Sequence, residues 1–294
     1  MGSDRPAQWT RASSWLAQAG HALASVVFPS DCRLCERVLV NGSRVPICPE
    51  CLASFVPLPS PICRQCGRAI LSEHILDASQ ALCRLCRLGV YGFSGARSYA
   101  LYDDAMVRAV VLLKHEPIAP LAEWFADRLA EVFRCYAPPC RFDLLVPVPL
   151  HAARQRERGY NQAELIARPL AKRLKLKFHP SLLERVRPRP DGLRLSARQR
   201  WTTVRGAFVA RPGDKVDNLR VLLVDDVMTT GATLDACARV LQKAGVAEVY
   251  ALTVARAQRI GLTAPASVSR EQGTGHERSA TEGRVGSAGG SGER

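Results

Sequence analysis

The 294-residue chain has no apolar run approaching the roughly 18 residues a membrane-spanning helix needs, so helical membrane insertion is not expected. Its longest apolar stretch near the N-terminus, 22–28, is short, interrupted by Ser25 and followed at once by cysteines. That is the wrong pattern for a cleaved secretion signal, and the expected location is the cytoplasm. No GxxxxGK run is present, which excludes a nucleoside-triphosphate P-loop. Aromatic residues are only 6%, leaving few side chains to stack on nucleic acid bases. Acidic residues are outnumbered, 27 against 41 Lys and Arg, for a formal net charge of +14. The surplus favours polyanions, whether nucleic acid, pyrophosphate or an acidic membrane surface, although free use of arginine would produce it with no ligand at all. At 47% hydrophobic, the chain can bury one full core and a small second unit, which excludes wholesale disorder.

Eight of the 11 cysteines fall into four CxxC pairs, Cys32/Cys35, Cys48/Cys51, Cys63/Cys66 and Cys83/Cys86. A CxxC turn brings two thiolates within reach of one zinc, and two such turns complete a closed tetrahedral site. The simplest assignment is one structural zinc on Cys32, Cys35, Cys48 and Cys51 and another on Cys63, Cys66, Cys83 and Cys86. Interleaved pairing fits the spacing too, and an iron–sulfur cluster or redox dithiols are the rival chemistries. Residues 30–89 hold so few large apolar residues that metal must supply the stability burial cannot. Arginines 33, 64, 68, 84 and 87 beside the pairs could touch phosphate or balance the negative metal–thiolate centres.

Residues 8–28 place Trp15, Leu16, Ala19, Leu23, Val26 and Val27 on one stripe, so a short amphipathic helix is expected over the N-terminal 1–29. A membrane-surface role would need a more basic polar face. From residue 91 to 258, strand patterns alternate with helix patterns. Strands are expected near 96–102, 142–149, 182–186, 221–224 and 249–255, and helices over 103–113, 120–134, 161–174 and 233–244. Pro169 should kink the third of these helices. The fold class is α/β, a mostly parallel sheet flanked by helices, joined to a small cysteine-rich unit. From 259 to 294 the chain is rich in Gly, Ser and Arg with almost no apolar content, and a disordered tail is expected.

The sharpest motif is VLLVDDVMTTGATL at 221–234. An apolar strand delivers Asp225 and Asp226, and a turn of small residues then opens a helix. Backbone N–H groups at the helix start, with the hydroxyls of Thr229, Thr230 and Thr233, can hold a phosphate monoester. The carboxylates would meet hydroxyls or a Mg2+ carried by the same ligand, which describes a ribose 5-phosphate. Helix caps and a surface turn are the plainer reading of the same residues.

This stretch resembles the phosphoribosyl-pyrophosphate (PRPP) signature of type I phosphoribosyltransferases, and residues 28–256 resemble the ComF family. The resemblance rests on FPSDCRLC at the first CxxC, LLKH at 112–115, VPVPLHAARQRERGYNQAE at 146–164, LSARQR at 195–200 with VRGAF at 204–208, and VLLVDDVMTTGAT, in that order. It implies a double zinc ribbon joined to a phosphoribosyltransferase-type sheet. It further implies that Asp225 and Asp226 bind ribose hydroxyls and the Mg2+ complex, and that Thr229, Thr230, Gly231, Ala232 and Thr233 cradle the 5-phosphate. It implies too that the turn after Pro147-Val148-Pro149, near Arg154 and Arg158, contacts pyrophosphate, and Lys114 stands where the family has Lys-Tyr, with His115 in place of the tyrosine. The Arg-rich segment around Arg185, Arg187, Arg189, Arg194, Arg198, Arg200 and Arg205 would close over the site, or be a solvated basic loop. Gly192 and Thr203 depart from the family's Gln and Asn in that segment. The family is associated with DNA uptake, which implies single-stranded DNA and competence-machinery proteins as partners beside PRPP.

Overall fold

The computed structural model describes residues 31–39, 44–70, 81–136, 138, 140–188 and 195–258. The helix expected over 8–28 and the tail expected after 259 lie outside the described residues, as do Arg189, Gly192 and Arg194.

The cysteine-rich segment contributes two short helices, α1 (Pro49–Ala53) and α2 (Arg84–Arg87), each beginning just after a cysteine of a CxxC pair. Then come β1 (Gly95–Leu101), α3 (Asp104–His115), α4 (Ala119–Tyr136), β2 (Leu144–Pro147), α5 (Ala152–Arg158), α6 (Gln162–Leu174) and β3 (Lys177–Phe178). A small insertion follows: β4 (Leu183–Arg185), α7 (Ala197–Val204) and β5 (Phe208–Ala210). The chain returns with β6 (Arg220–Met228), α8 (Ala232–Lys243) and β7 (Glu248–Arg256). Five strands form one sheet in the order β1-β7-β6-β2-β3, and every pairing in it is parallel. The fold is therefore the mostly parallel, helix-flanked α/β class that the sequence predicts.

Alternation along the central strands divides two apolar clusters. Leu222 and Val224 of β6 face α3, α4 and α6, packing with Met106, Phe125, Leu129, Ile166 and Leu170. Val221 and Leu223 face α8, packing with Leu234, Cys237, Ala238 and Leu241. The two cysteine units part between these clusters. Cys32, Leu34, Ile47 and Phe55 join the first, and Cys63, Cys66 and Cys86 the second. Both units grip β1, where Leu101 N donates to Val56 O (2.8 Å) and Ala96 N to Gln65 O (2.7 Å).

Three expectations are corrected. The strand expected over 221–224 runs on to Met228, so both aspartates lie inside β6, opposite β7 in register (Asp225 against Thr253). The polar segment before Arg205 contains α7, started by a capping box between Ser196 and Gln199. The strand near 182–186 forms as β4, but it pairs antiparallel with β5, outside the main sheet. Helix α6 runs unbroken through Pro169. Among the described residues no helix is long and apolar enough to cross a membrane.

Candidate functional site

β2 and β6 are neighbours, yet their connections leave in opposite directions. From β2 the chain passes through α6 to β3 on one side; from β6 it passes through α8 to β7 on the other. Such a switch point leaves a crevice beyond the carboxyl ends of the two strands, where α/β sheets bind ligands. Asp225, Asp226 and the 229–233 turn stand at the end of β6. The Pro147-Val148-Pro149 turn stands at the end of β2, with Val148 N donating to Val224 O (2.8 Å).

At the acidic end, Asp226 is buried at 6% exposure. Lys114 Nζ, from the last turn of α3, lies 2.8 Å from its Oδ2, and Gln162 Nε2 donates to the same oxygen at 3.2 Å. Val227 N donates to Asp226 Oδ1 (2.6 Å), and Arg158 donates to Gln162 Oε1, which sets the amide's orientation. Asn161 fixes the geometry behind Gln162. It caps α6 by accepting from Ala163 N, while its Nδ2 holds Val148 O at 3.0 Å.

Burial opposes charge on Asp226, but Lys114 and the donated hydrogen bonds prevail and hold its carboxyl below the ordinary range. Lys114 is shifted upward: burial alone would lower it, and the Asp226 charge more than compensates. Asp225 is pushed well above the carboxylate range by burial and by the Asp226 charge. The two adjacent carboxyls are thus shifted in opposite directions. This donor set suits Mg2+, since a divalent cation would supply the countercharge Asp225 lacks.

At the other end, Gly231 caps α8 in the left-handed region (φ 83°). A Cβ there would lie 2.8 Å from both Met228 Cε and Tyr91 Cε1, so only glycine fits this turn without displacement. Tyr91 Oη donates to Thr230 O (2.8 Å), Ala232 N donates to Thr230 Oγ1 (3.4 Å), and Arg200 Nη1 of α7 donates to Thr229 Oγ1 (3.0 Å). The first N–H groups of α8 lack intrahelical acceptors, and such a helix start beside threonine hydroxyls is an arrangement able to hold an anion.

The structure thus joins Asp225, Asp226, Lys114 and, through Gln162, Arg158 at one end of the crevice, and the 229–233 turn at the other. Arg154 is exposed on α5. Gln162, Tyr91 and the Arg200–Thr229 contact were not singled out from sequence. Gln162 lies inside the GYNQAE run and Arg200 in the Arg-rich segment, whereas nothing near Tyr91 marks it. A cavity of about 720 Å³ between α7, β5 and α8, lined by Trp201, Val204, Phe208 and Val240, touches Arg205 of the Arg-rich segment but none of the expected catalytic, phosphate-binding or metal residues.

The eight paired cysteines gather as Cys32, Cys35, Cys48, Cys51 and Cys63, Cys66, Cys83, Cys86, with ligand atoms within 4.8 Å of one another in each group. Pairing is sequential and not interleaved. Sulfur separations of 3.7 Å (Cys35–Cys48) and 3.6 Å (Cys66–Cys83) match the roughly 3.8 Å edge of a zinc tetrahedron with Zn–S near 2.3 Å. None of the eight is in a disulfide. Burial opposes ionisation of Cys32, but amides of Cys48, Leu34 and Cys35 aimed at its sulfur bring it down to about 6.

Known families match the two parts. The double zinc ribbon domain matches residues 23–87, and the phosphoribosyl transferase domain matches residues 160–269. The DNA utilization protein YhgH of Salmonella typhi is 30% identical over 227 residues, 76% of this chain and 89% of that protein. Competence protein ComFC of Bacillus subtilis is 27% identical over 218 residues, 71% of this chain and 84% of that protein. Competence protein F of Haemophilus influenzae is 38% identical over 116 residues, 39% of this chain, and the match spans only about half of that protein, 51%. Among solved structures, the B. subtilis glutamine PRPP amidotransferase aligns at 20% identity over 46% of this chain and 26% of that one. Its TM-score of 0.32 is too low for any conclusion to rest on.

Proposed function

This chain belongs to the ComF family of double zinc ribbon and phosphoribosyltransferase-domain proteins, and from that premise we propose that it binds PRPP with Mg2+ at the β2/β6 crevice and transfers the phosphoribosyl group. The observation that carries this is the pairing of an acid dyad and an anion cradle on one strand–turn–helix, at the sheet's switch point. The 229–233 turn takes the 5-phosphate. Asp225 and Asp226 take the ribose hydroxyls and the cation, with Lys114 and Gln162 fixing Asp226. Arg158 and Arg154, after β2, face the pyrophosphate side.

Displacing pyrophosphate from C1 leaves an oxocarbenium-like sugar and a strongly anionic leaving group. Bound Mg2+ supplies charge neutralisation of that group. The chain's own part is orientation of the sugar and electrostatic stabilisation by its lysine and arginines. The two cysteine tetrads hold structural zinc: with four thiolates each, no coordination position stays open for chemistry.

Calorimetric titration with PRPP and Mg2+ tests the reading. Binding by the wild type and none by a folded Asp225→Asn/Asp226→Asn variant is expected, together with Mg2+-dependent pyrophosphate release once an acceptor is supplied. No binding by zinc-loaded wild type would overturn it.

A second reading has its own support. The relatives are named for competence and DNA utilization, and the net charge is +14. On this reading the ribbons and basic surface contact single-stranded DNA. Affinity for a single-stranded oligonucleotide should then fall steeply with salt; affinity absent at low salt removes it.

A further inference from the structure

Arg256, the last residue of β7, is fully buried, and no carboxylate among the described residues pairs with it. Its Nη2 lies 3.6 Å from Cys66 Sγ, its Nη1 points at Met228 Sδ, and its Nε has no hydrogen-bond partner. A buried guanidinium is retained only where something answers its charge. Four thiolates around one divalent zinc carry a net charge of −2, so a loaded second tetrad is that answer.

The same side chain reaches the phosphate turn. Met228 lies opposite Arg256 in the β6–β7 register, and Ala257 N donates to Met228 O at 2.9 Å. Met228 and Tyr91 are the two side chains that wall in Gly231. Tyr91 holds Thr230 O, stacks on Phe93 with centroids 4.7 Å apart, and has its own carbonyl, like that of Phe93, facing Gln65 of the Cys63/Cys66 turn. That turn is set against β1 so closely that a Cβ on Gly67 would meet Ala96 O at 2.6 Å. Around the first tetrad the nitrogen donors to sulfur among the described residues are backbone amides, Cys48 N to Cys32 Sγ and Cys51 N to Cys48 Sγ.

We propose that Arg256 is a positioning residue that ties the second cysteine tetrad to the phosphate turn, so that metal in that tetrad sets the shape of the 229–233 cradle. The proposal deepens the PRPP reading and rests on it for the ligand, but not for the coupling between the metal and the turn.

The test compares zinc-loaded wild type, Arg256→Met, Arg256→Lys and Tyr91→Phe by zinc release to a chelator, amide exchange at 229–233, and PRPP–Mg2+ affinity. Arg256→Met should release one of two zincs about tenfold faster, expose the 229–233 amides and weaken PRPP about tenfold. Arg256→Lys, which keeps the charge, should restore zinc retention. Tyr91→Phe should leave zinc release unchanged and expose the turn alone. Leu129→Ala, a buried truncation on α4, controls for general destabilisation and should change neither zinc release nor the turn.

Wild-type zinc release and exchange in Arg256→Met would overturn the proposal. If Arg256→Met does not fold, Arg256→Lys releasing zinc like wild type, with Tyr91→Phe exposing the turn, sustains it; an unchanged turn in Tyr91→Phe overturns it. Failure of the wild type to bind PRPP would remove the ligand, while zinc release and exchange still decide the coupling.

Discussion

The two cysteine tetrads look alike from sequence and are wired differently. The first packs on the face of the sheet that carries α3 and α4. Phe55 lies edge-on to Trp124 (5.7 Å between centroids), and Arg108 donates to Leu34 O at 3.0 Å. Its reach toward the acidic end of the site is the ion pair of Arg33 with Glu116, two residues past Lys114, and both partners are largely exposed. The second packs on the α8 face and reaches the phosphate turn through buried groups, Arg256 and Tyr91. The two tetrads thus share their donor chemistry but differ in what they pack against, a helix pair in one case and the turn after β6 in the other.

The comparison breaks or holds first on ligand removal. Structural zinc contributes on the order of 10 kcal/mol of apparent binding free energy in small metal-dependent domains, so this is the largest effect expected. Cys32→Ser and Cys63→Ser, both at fully buried positions, should each lower the zinc content by one per chain and depress the melting temperature. Only Cys63→Ser should also weaken PRPP–Mg2+ binding by about tenfold or more. Metal analysis and calorimetry on the same samples read both. Equal losses of affinity in the two variants would show that the ribbons are functionally equivalent and the wiring irrelevant.

The acidic end gives the next largest effect, with opposite signs at adjacent residues. Asp226→Asn strands the Lys114 charge and should cost about 3 kcal/mol of stability. Asp225→Asn removes a carboxyl whose ionisation the fold opposes, and should raise stability by about 1 kcal/mol while abolishing PRPP–Mg2+ binding.

The pH dependence follows the same signs. Asp226, held low, contributes stability that is present above the unfolded value near pH 4 and lost as pH falls through its folded value. Asp225, held high, contributes stability below about pH 4 that is lost as pH rises through its folded value. Without Mg2+, the Asp225→Asn variant should therefore lose the neutral-side decline, and Asp226→Asn the acid-side one. Denaturant melts across pH measure both, and parallel profiles would remove the assignment of charge within the pair.

What could be read without coordinates divides along the same line. Spacing exposed the CxxC pairs, and a run of carboxylates, hydroxyls and glycine exposed the β6 turn, because both are local patterns. Arg256 gave no such signal. It is a single basic residue at the end of an apolar strand, and its sulfur partner lies 190 positions away. Tyr91 and Thr230 are 139 positions apart, and a tyrosine ahead of a strand is commonplace. Gln162 carries no charge to betray its contact with Asp226.

Among the elements, α5 was passed over because its AARQRER run has good helix formers but no apolar stripe. The signal for α7 was present as Ser196 and Gln199, a capping box hidden among arginines. The strand reads as ending at Val224, just before the aspartates, because acidic pairs are poor strand formers. The aspartates are held in β6 by its pairing with β7, which continues past them to Met228, while the β2 ladder stops at Val224.

A smaller effect is expected at the turn itself. Gly231→Ala forces a left-handed backbone on a residue with a Cβ and presses that Cβ on Tyr91 and Met228, costing about 2 kcal/mol. If the second ribbon shapes the cradle, Gly231→Ala should also quicken zinc release from the second tetrad, because Met228 and Tyr91 must move. A chelator assay resolving the two zincs would show it, and unchanged release would count against the coupling, because such linkage acts equally in both directions.

The smallest effect sharpens the other half of the comparison. Arg33 and Glu116 link the first ribbon to the end of α3 with side chains 49% and 41% exposed. Water and salt already screen such a pair, and holding two long side chains in one geometry offsets most of the attraction. Arg33→Gln should change stability by less than about 0.5 kcal/mol and leave PRPP–Mg2+ affinity within about twofold of wild type. A tenfold loss of affinity in that variant would mean that the first ribbon steers Lys114 through the end of α3, so that both ribbons set the geometry of the site.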